Sequence, residues 1–388
     1  KEEKKKGKIL TYDETSTLDE KNIVSLSTGS LGGKGRGLAF INALIYNLEF
    51  PELKNKINIR TPITAVIGTD EFDNFIRQNQ LQSIIKDKNI SHDELKRKFV
   101  ESKLSVFFKR KVQFFIEQVD KPIAIRSSSL SEDSITQPFA GVFDTFIVPN
   151  SDNENIEETV EKVCDAIKLV YASIFSDSAK IYFRSIHHKI EEEKMAIVLQ
   201  ELVGNQYGDY YYPHISGTAQ SYNYYPIANM KPEEGFAVAA VGLGFYVVGG
   251  NKSYRFSPKY PRVEIFSTKD LLNSTQTEFL AVDLSKNNIN YLEEGEMASI
   301  ATLEISKAEE FGTLNHCASV YNRDNDRIEA GLSKYGPRII NFADILKFDY
   351  IPLAQTIDIM LNTIQEALGS PVEIEYAVDL NSEKNKLP

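Results

Sequence analysis

The chain has 388 residues, 42% hydrophobic and 26% charged, with a net charge of −11 at pH 7. That is an ordinary globular composition, long enough for a large core in two or more lobes, and its negative balance argues against a nucleic-acid partner held by a basic face. No run approaches the ~20 apolar residues of a membrane span, so no membrane partner is expected. The charged start KEEKKKGK lacks the apolar core of a signal peptide. Two cysteines, Cys164 and Cys317, have neither metal-site nor disulfide-framework spacing. This fits a reducing compartment and a cytoplasmic location.

Residues 1–29 mix charges with Thr and Ser and show little periodicity, so a flexible lead-in or linker is expected. The chain starts at Lys1 without a Met and stops at NSEKNKLP, and both ends read as cuts through a longer protein. Residues 30–48, SLGGKGRGLAFINALIYNL, set Gly32, Gly33, Gly35 and Gly37 around Lys34. A helix should follow, with Leu38, Ile41, Leu44, Ile45 and Leu48 on one face. Glycines allow close backbone approach to a ligand, and Lys34 adds a mobile charge. This is no Walker loop, because Thr28 replaces the first Gly and Gly35 follows the Lys. Nor is it a dinucleotide fingerprint, because Phe40 stands at the third Gly.

Residues 57–68 predict one or two strands, and 70–80 and 91–118 predict helices, the latter opened by a Ser91 and Glu94 capping box. Lys and Arg at 96, 97, 98, 109, 110 and 111 read as a solvated helix face. Residues 123–149 read IAIRSSSLSEDSITQPFAGVFDTFIVP. A short apolar strand delivers Arg126 to the hydroxyls of Ser127, Ser128 and Ser129, then Glu132, Asp133, Gly141 and a second strand at 142–148. An arginine fork beside hydroxyls and loop amides suits phosphate; the alternative is a polar turn whose Arg126 caps a surface.

Residues 155–187 predict one long amphipathic helix with Val160, Val163, Ile167, Val170 and Ile174 on one face, and Cys164 as a core thiol. His187 and His188 read as helix-end polar residues, since neighbours on a helix diverge by about 100°. Residues 195–203 form an apolar strand broken by Gln200 and Glu201. Residues 204–226 read as loop and hairpin, with tyrosines that pack or stack. Residues 236–250 predict two strands around a tight turn, and 251–300 show no definite pattern. A helix at 353–368 ends at Gly369, with Pro371 beyond. In the strand at 372–378, Glu373 and Glu375 share one face. Paired carboxylates there are costly without a cation; the alternative is an edge strand with its acids in water.

Taken in order, these motifs resemble the N-terminal nucleotide-binding domain of the pyruvate phosphate dikinase and phosphoenolpyruvate synthase family. They are GGKG at 32–35, IRSS at 125–128, SED at 131–133, FAG at 139–141 with DTF at 144–146, AIVLQELV at 196–203, SGT at 216–218, GLG at 242–244 with VVG at 247–249, and EIEYAVD at 373–379. The resemblance implies an α+β, ATP-grasp-type two-lobed nucleotide-binding fold, with lobes at 30–194 and 195–388. It implies that Lys34 and Arg126 contact ATP phosphates as the catalytic cations. It places Ser127, Ser128 and Thr145 at the nucleotide, with Gln200, Glu201 and Val203 on the adenine side, largely through main chain. Glu373 and Glu375 would ligate Mg²⁺.

In the resembled family, ATP phosphorylates a histidine on a separate swivelling domain, and a barrel domain passes the phosphoryl group to pyruvate. Both would lie elsewhere in a full protein, since none of the histidines (92, 187, 188, 214, 316) has the Thr-x-x-x-Ala-His-Ala context. The chain departs from the pattern at Tyr224, where Arg is common, and at Phe245, where the pattern has an acid. A Gln-x-Arg strand, expected about a dozen residues after the acidic strand, is not met before Pro388. Weak ATP binding and little turnover by this chain alone are therefore expected. Alternatives are a dikinase or antibiotic phosphotransferase with another acceptor, and a nucleotide-sensing module that Tyr224 and Phe245 would suit.

Overall fold

Period-two apolar runs make the strands and three-to-four spacings make the helices of the computed structural model. It describes residues 7–12, 17–87, 89–129, 141–150, 156–185, 189–190, 193–226 and 230–380. The chain divides into two compact units. The first is Lys1–Glu49, Arg60–Leu202 and Val282–Ile300; the second is Phe50–Ile59, Val203–Ala281 and Ala301–Pro388.

In the first unit the chain runs β1 (Ile9–Thr11), β2 (Ile23–Ser27), α1 (Gly32–Asn47), β3 (Thr64–Ile67), α2 (Thr69–Gln78), α3 (Gln82–Lys86), α4 (His92–Glu101) and α5 (Val106–Glu117). Then come β4 (Ile123–Ser129), β5 (Thr145–Val148), α6 (Ile156–Ser173), α7 (Asp177–Ser185) and β6 (Met195–Glu201). The strands form one mixed sheet in the order β1-β2-β3-β6-β4-β5. Alternation sends Val24, Leu26, Ala65, Ile67, Ile125, Phe146, Ile197 and Leu199 into one large core with Phe75, Phe99, Phe115 and Tyr171. On the opposite face Ile23, Val66 and Val198 receive Leu38 and Ala39 of α1. Cys164 is buried in the large core, as its helix periodicity predicts.

Four expectations are corrected here. The lead-in at 1–29 contains β1 and β2, because Ile23, Val24 and Leu26 supply enough apolar surface to enter the sheet. The helix at 91–118 is two helices: Ser105 accepts the Phe108 N–H at 3.1 Å and starts α5 afresh. The helix at 155–187 breaks likewise, where Ser176 accepts the Ala179 N–H at 3.1 Å. The lobe boundary at 194/195 falls within the first unit, because β6 pairs with β3 on one side and β4 on the other.

The second unit continues with β7 (Asn205–Tyr207), β8 (Tyr210–Tyr212), β9 (Ile215–Gln220), β10 (Phe236–Ala240), α8 (Phe245–Val248), β11 (Tyr254–Phe256), α9 (Thr268–Ser274) and β12 (Glu278–Asp283). The chain returns to the first unit through α10 (Tyr291–Glu294) and a 3₁₀ turn (Gly295–Ser299). It closes with β13 (Ile300–Glu304), α11 (Ile305–Glu310), β14 (Ala318–Asn322), β15 (Arg327–Ala330), β16 (Arg338–Ile340), α12 (Ala343–Leu346), α13 (Leu353–Leu368) and β17 (Glu373–Val378). Three sheets result, ordered β11-β10-β9-β17, β13-β12-β8-β7 and β15-β14-β16. Helix α13 ends as expected at Gly369, in the left-handed region. The expected second strand within 236–250 is instead the short helix α8.

The returning segment covers an open sheet edge. Tyr291 and Ser299 hydroxyls donate to the Ile147 carbonyl at 2.7 and 2.6 Å, and the Glu296 carboxylate accepts the Thr145 N–H at 2.5 Å. Edge strand β5 is thereby shielded from foreign pairing. Burial pushes the Glu296 carboxyl up to about 6, opposed by the Thr145 bond and reinforced by Asp144. Burial also raises Asp144 to about 6, opposed by Lys96. With folded values above unfolded ones, stability is fully present below the ordinary carboxylate range and is lost as pH rises through about 6. Glu296→Gln keeps an acceptor for Thr145 and removes one titration. Calorimetry should show a higher Tm at pH 7 and a flatter decline between 4.5 and about 6; an unchanged pH profile would contradict this.

Candidate functional site

Helix α1 begins at Leu31, whose side chain caps nothing. The cap comes from β4 instead. The Ser128 hydroxyl donates to the Leu31 carbonyl at 2.7 Å and accepts the Gly35 N–H at 2.9 Å. Gly32 has φ +69°, and a Cβ there would stand 1.8 Å from the Ser128 carbonyl oxygen. Both the positive φ and the close approach demand glycine. The glycine-rich stretch is thus the first turn of a helix, locked onto the end of a strand. First-turn amides lack intrahelical acceptors and sit at the positive end of the helix dipole, which favours an anion. Lys34, half-buried in that turn, adds an ammonium.

Arg126 stands opposite Thr145 on β5 and Val198 on β6. Val198 belongs to the face that α1 covers. Arg126, Ser128, Thr145 and Gln200 therefore share the face on which α1 and its Lys34 lie. Two expected residues do not. Ser127 pairs with Ile197 and points to the large core, because consecutive strand residues alternate faces. Glu201 pairs with Ile123 on that same core face, and its carboxylate lies 3.9 Å from the Lys121 ammonium. Burial raises the Glu201 pKa, against the pull of Lys121 and Arg60.

The polar groups near the expected adenine position are largely committed. Gln200 Nε2 donates to the Thr64 hydroxyl at 3.1 Å, the Glu201 N–H to the Ile63 carbonyl at 2.9 Å, and the Leu202 N–H to the Pro122 carbonyl at 2.8 Å. Val203, outside both flanking strands, makes no hydrogen bond with the described residues. Of the three expected adenine contacts, Val203 alone keeps its N–H available. The reason is that β6 is a central strand, paired on both sides.

In the second unit β17 is an edge strand, and Glu373 and Glu375 are exposed on one face. Opposite them on β9 are Gln220 and Thr218. The row through Thr218 continues to Val238 on β10 and Arg255 on β11. Gly217 lies against the Tyr376 ring, whose hydroxyl donates to the Val238 carbonyl at 2.9 Å. The described residues hold no cluster of three or more metal-ligating side chains. A carboxylate pair alone fits Mg²⁺ that brings water and phosphate as its other ligands. Arg255 and Glu296 were not singled out from sequence. A lone arginine between aromatics in YRF was the available signal for the first; none existed for the second.

The basic helix face is largely spent on local pairs. Lys96 meets Asp93 at 2.8 Å, Lys98 meets Glu101 at 3.4 Å, Lys109 meets Glu161, and Lys111 donates to the Leu26 carbonyl at 2.6 Å. The motif positions 131–140, with His187 and His188, lie outside the described residues.

A family model described as the pyruvate phosphate dikinase AMP/ATP-binding domain matches residues 28–387. The uncharacterized phosphotransferase YvkC of Bacillus subtilis (strain 168) is 29% identical over 202 residues, covering 50% of this chain and 21% of that protein. A phosphoenolpyruvate synthase of Deinococcus radiodurans is 28% identical over 241 residues, 57% of this chain and 27% of its own. Another from Aeropyrum pernix is 24% identical over 264 residues, 62% and 30% respectively. The chain thus spans less than a third of the length of these curated relatives. Among the described residues no helix is long and apolar enough to cross a membrane. The match over nearly its whole length shows that the chain belongs to the family of the pyruvate phosphate dikinase AMP/ATP-binding domain, an ATP-grasp-type nucleotide-binding fold.

Proposed function

We propose that the chain binds MgATP as the phosphoryl donor of a cytoplasmic, phosphoenolpyruvate synthase- or dikinase-like phosphotransferase. The observation that carries this reading is the first turn of α1, locked to β4 by Ser128 on the face that also holds Arg126. First-turn amides and Lys34 meet phosphate oxygens, and Arg126 presents a planar fork to them. Thr145 adds a hydroxyl from the neighbouring strand, and Ser128 positions the turn. Val203 meets the adenine through its main chain. Glu373 and Glu375 would hold Mg²⁺, which supplies charge neutralisation on the phosphates. The phosphoryl acceptor is a histidine on a separate swivelling domain, and a pyruvate-binding barrel completes the reaction. The names of two relatives, both phosphoenolpyruvate synthases, support a phosphoenolpyruvate-forming reaction.

Removing one cationic side chain from the phosphates should cost about 1.5–3 kcal/mol, roughly tenfold to a hundredfold in affinity. Isothermal titration with MgATP should show this weakening for Lys34→Ala and Arg126→Ala, with adenosine affinity unchanged; wild-type MgATP affinity in both variants would refute the phosphate assignment. Ser127→Ala should bind as wild type, whereas Ser128→Ala should lose affinity through a displaced glycine turn. If Glu373 and Glu375 hold the metal, Glu373→Gln with Glu375→Gln should abolish the gain in ATP affinity between EDTA and Mg²⁺. Retention of that gain would rule them out as ligands.

A further inference from the structure

Arg255 is a half-buried cation that has no carboxylate partner among the described residues. On β11 it stands opposite Val238, in the cross-strand row that runs through Thr218 to Glu375. Its guanidinium carbon lies 3.9 Å from the centroid of the Phe236 ring. Its Nη2 donates to Asn223 Oδ1 at 2.7 Å. Asn223 is itself buried, and the same oxygen accepts the Tyr225 N–H at 3.1 Å. The guanidinium is thus held in place by a ring beneath and a fixed amide beside it.

Among the described residues no carboxylate pairs with Arg255, and Asn223 is its one hydrogen-bond partner. Glu375 stands three strands away, about 14 Å at the usual ~4.8 Å spacing. A guanidinium has five N–H donors, and removing it from water without an anion is unfavourable. Desolvation lowers its pKa, and no acid among the described residues opposes this. Cation–ring contact offsets part of this cost and leaves the outward donors for a ligand. The ring also fixes the plane of the fork, which favours a planar or multi-oxygen anion over a single point charge. Tyr224, the neighbour of Asn223, is 70% exposed and stands where an arginine is common in the resembled pattern.

We propose that Arg255 is an anion site of the second unit, whose guanidinium takes a phosphate-type multi-oxygen anion such as the phosphate chain of a nucleotide. This rests on the nucleotide reading above. The test compares wild type, Arg255→Gln and Arg255→Lys by titration with MgATP, adenosine and inorganic tripolyphosphate. Arg255→Gln should bind MgATP and tripolyphosphate at least tenfold more weakly and adenosine as before. Arg255→Lys, which keeps charge without the fork, should fall in between. Wild-type affinity of Arg255→Gln for both phosphate ligands overturns the inference and leaves the nucleotide reading standing. Tripolyphosphate binding lost in Arg255→Gln, with no ATP binding by wild type, would keep the anion site and remove the nucleotide reading. Binding of neither ligand by wild type overturns both. If Arg255→Gln does not fold, Arg255→Lys decides, and undiminished tripolyphosphate affinity in it overturns the inference.

Discussion

The Ser128 hydroxyl is the contact on which the first unit's candidate site depends. By giving one hydrogen bond to Leu31 and taking one from Gly35, it replaces the cap that Leu31 cannot provide. Each such bond contributes only about 1 kcal/mol net, but a buried hydroxyl or amide left unpaired costs about 1–3 kcal/mol. The arrangement is therefore strongly specified though weakly stabilising. It also sets the chemistry of its neighbours. Because Ser128 must face α1, Arg126 does too, and Ser127 and Ser129 must face the core. A run of three hydroxyls is thus divided between the two faces of the sheet.

Acids in the two units are handled in opposite ways. Glu296 and Asp144 are buried and pushed up to about 6, so the segment that covers β5 is held most firmly when these carboxyls are protonated. Glu373 and Glu375 sit exposed on an edge strand. Exposure keeps the desolvation cost of such a pair small, and a hydrated Mg²⁺, which seldom sheds all its water, is the cation that suits carboxylates of this kind. Arg255 reverses the case: it is a cation kept partly dry on the same sheet.

Much of this was legible in sequence where a pattern was local. Helix α13, its Gly369 stop and the paired faces of β17 follow from period and punctuation alone. Gly32 and Lys34 announced a backbone that approaches something closely, and the order of motifs pointed to the family that the comparison then showed. What failed needed tertiary information. Ser105 and Ser176 read as polar helix positions, yet each starts a new helix by capping it. Residues 23–27 are too short and polar a run to stand out as a strand until they are paired with β3. Ser127, Ser128, Gln200 and Glu201 were equivalent in a linear motif, and only the register of β4 and β6 separates them. Glu296 lies 151 residues from its partner Thr145, beyond the reach of any local pattern.

The most direct test of the central claim is amide hydrogen exchange over residues 31–36, with and without saturating MgATP, using α4 as an internal control. Phosphate seated on the first turn of α1 should slow exchange at those amides. Adenosine should not, and Arg126→Ala should weaken the protection at equal nucleotide concentration. Tight MgATP binding with exchange at 31–36 unchanged would place the phosphates elsewhere and contradict the account.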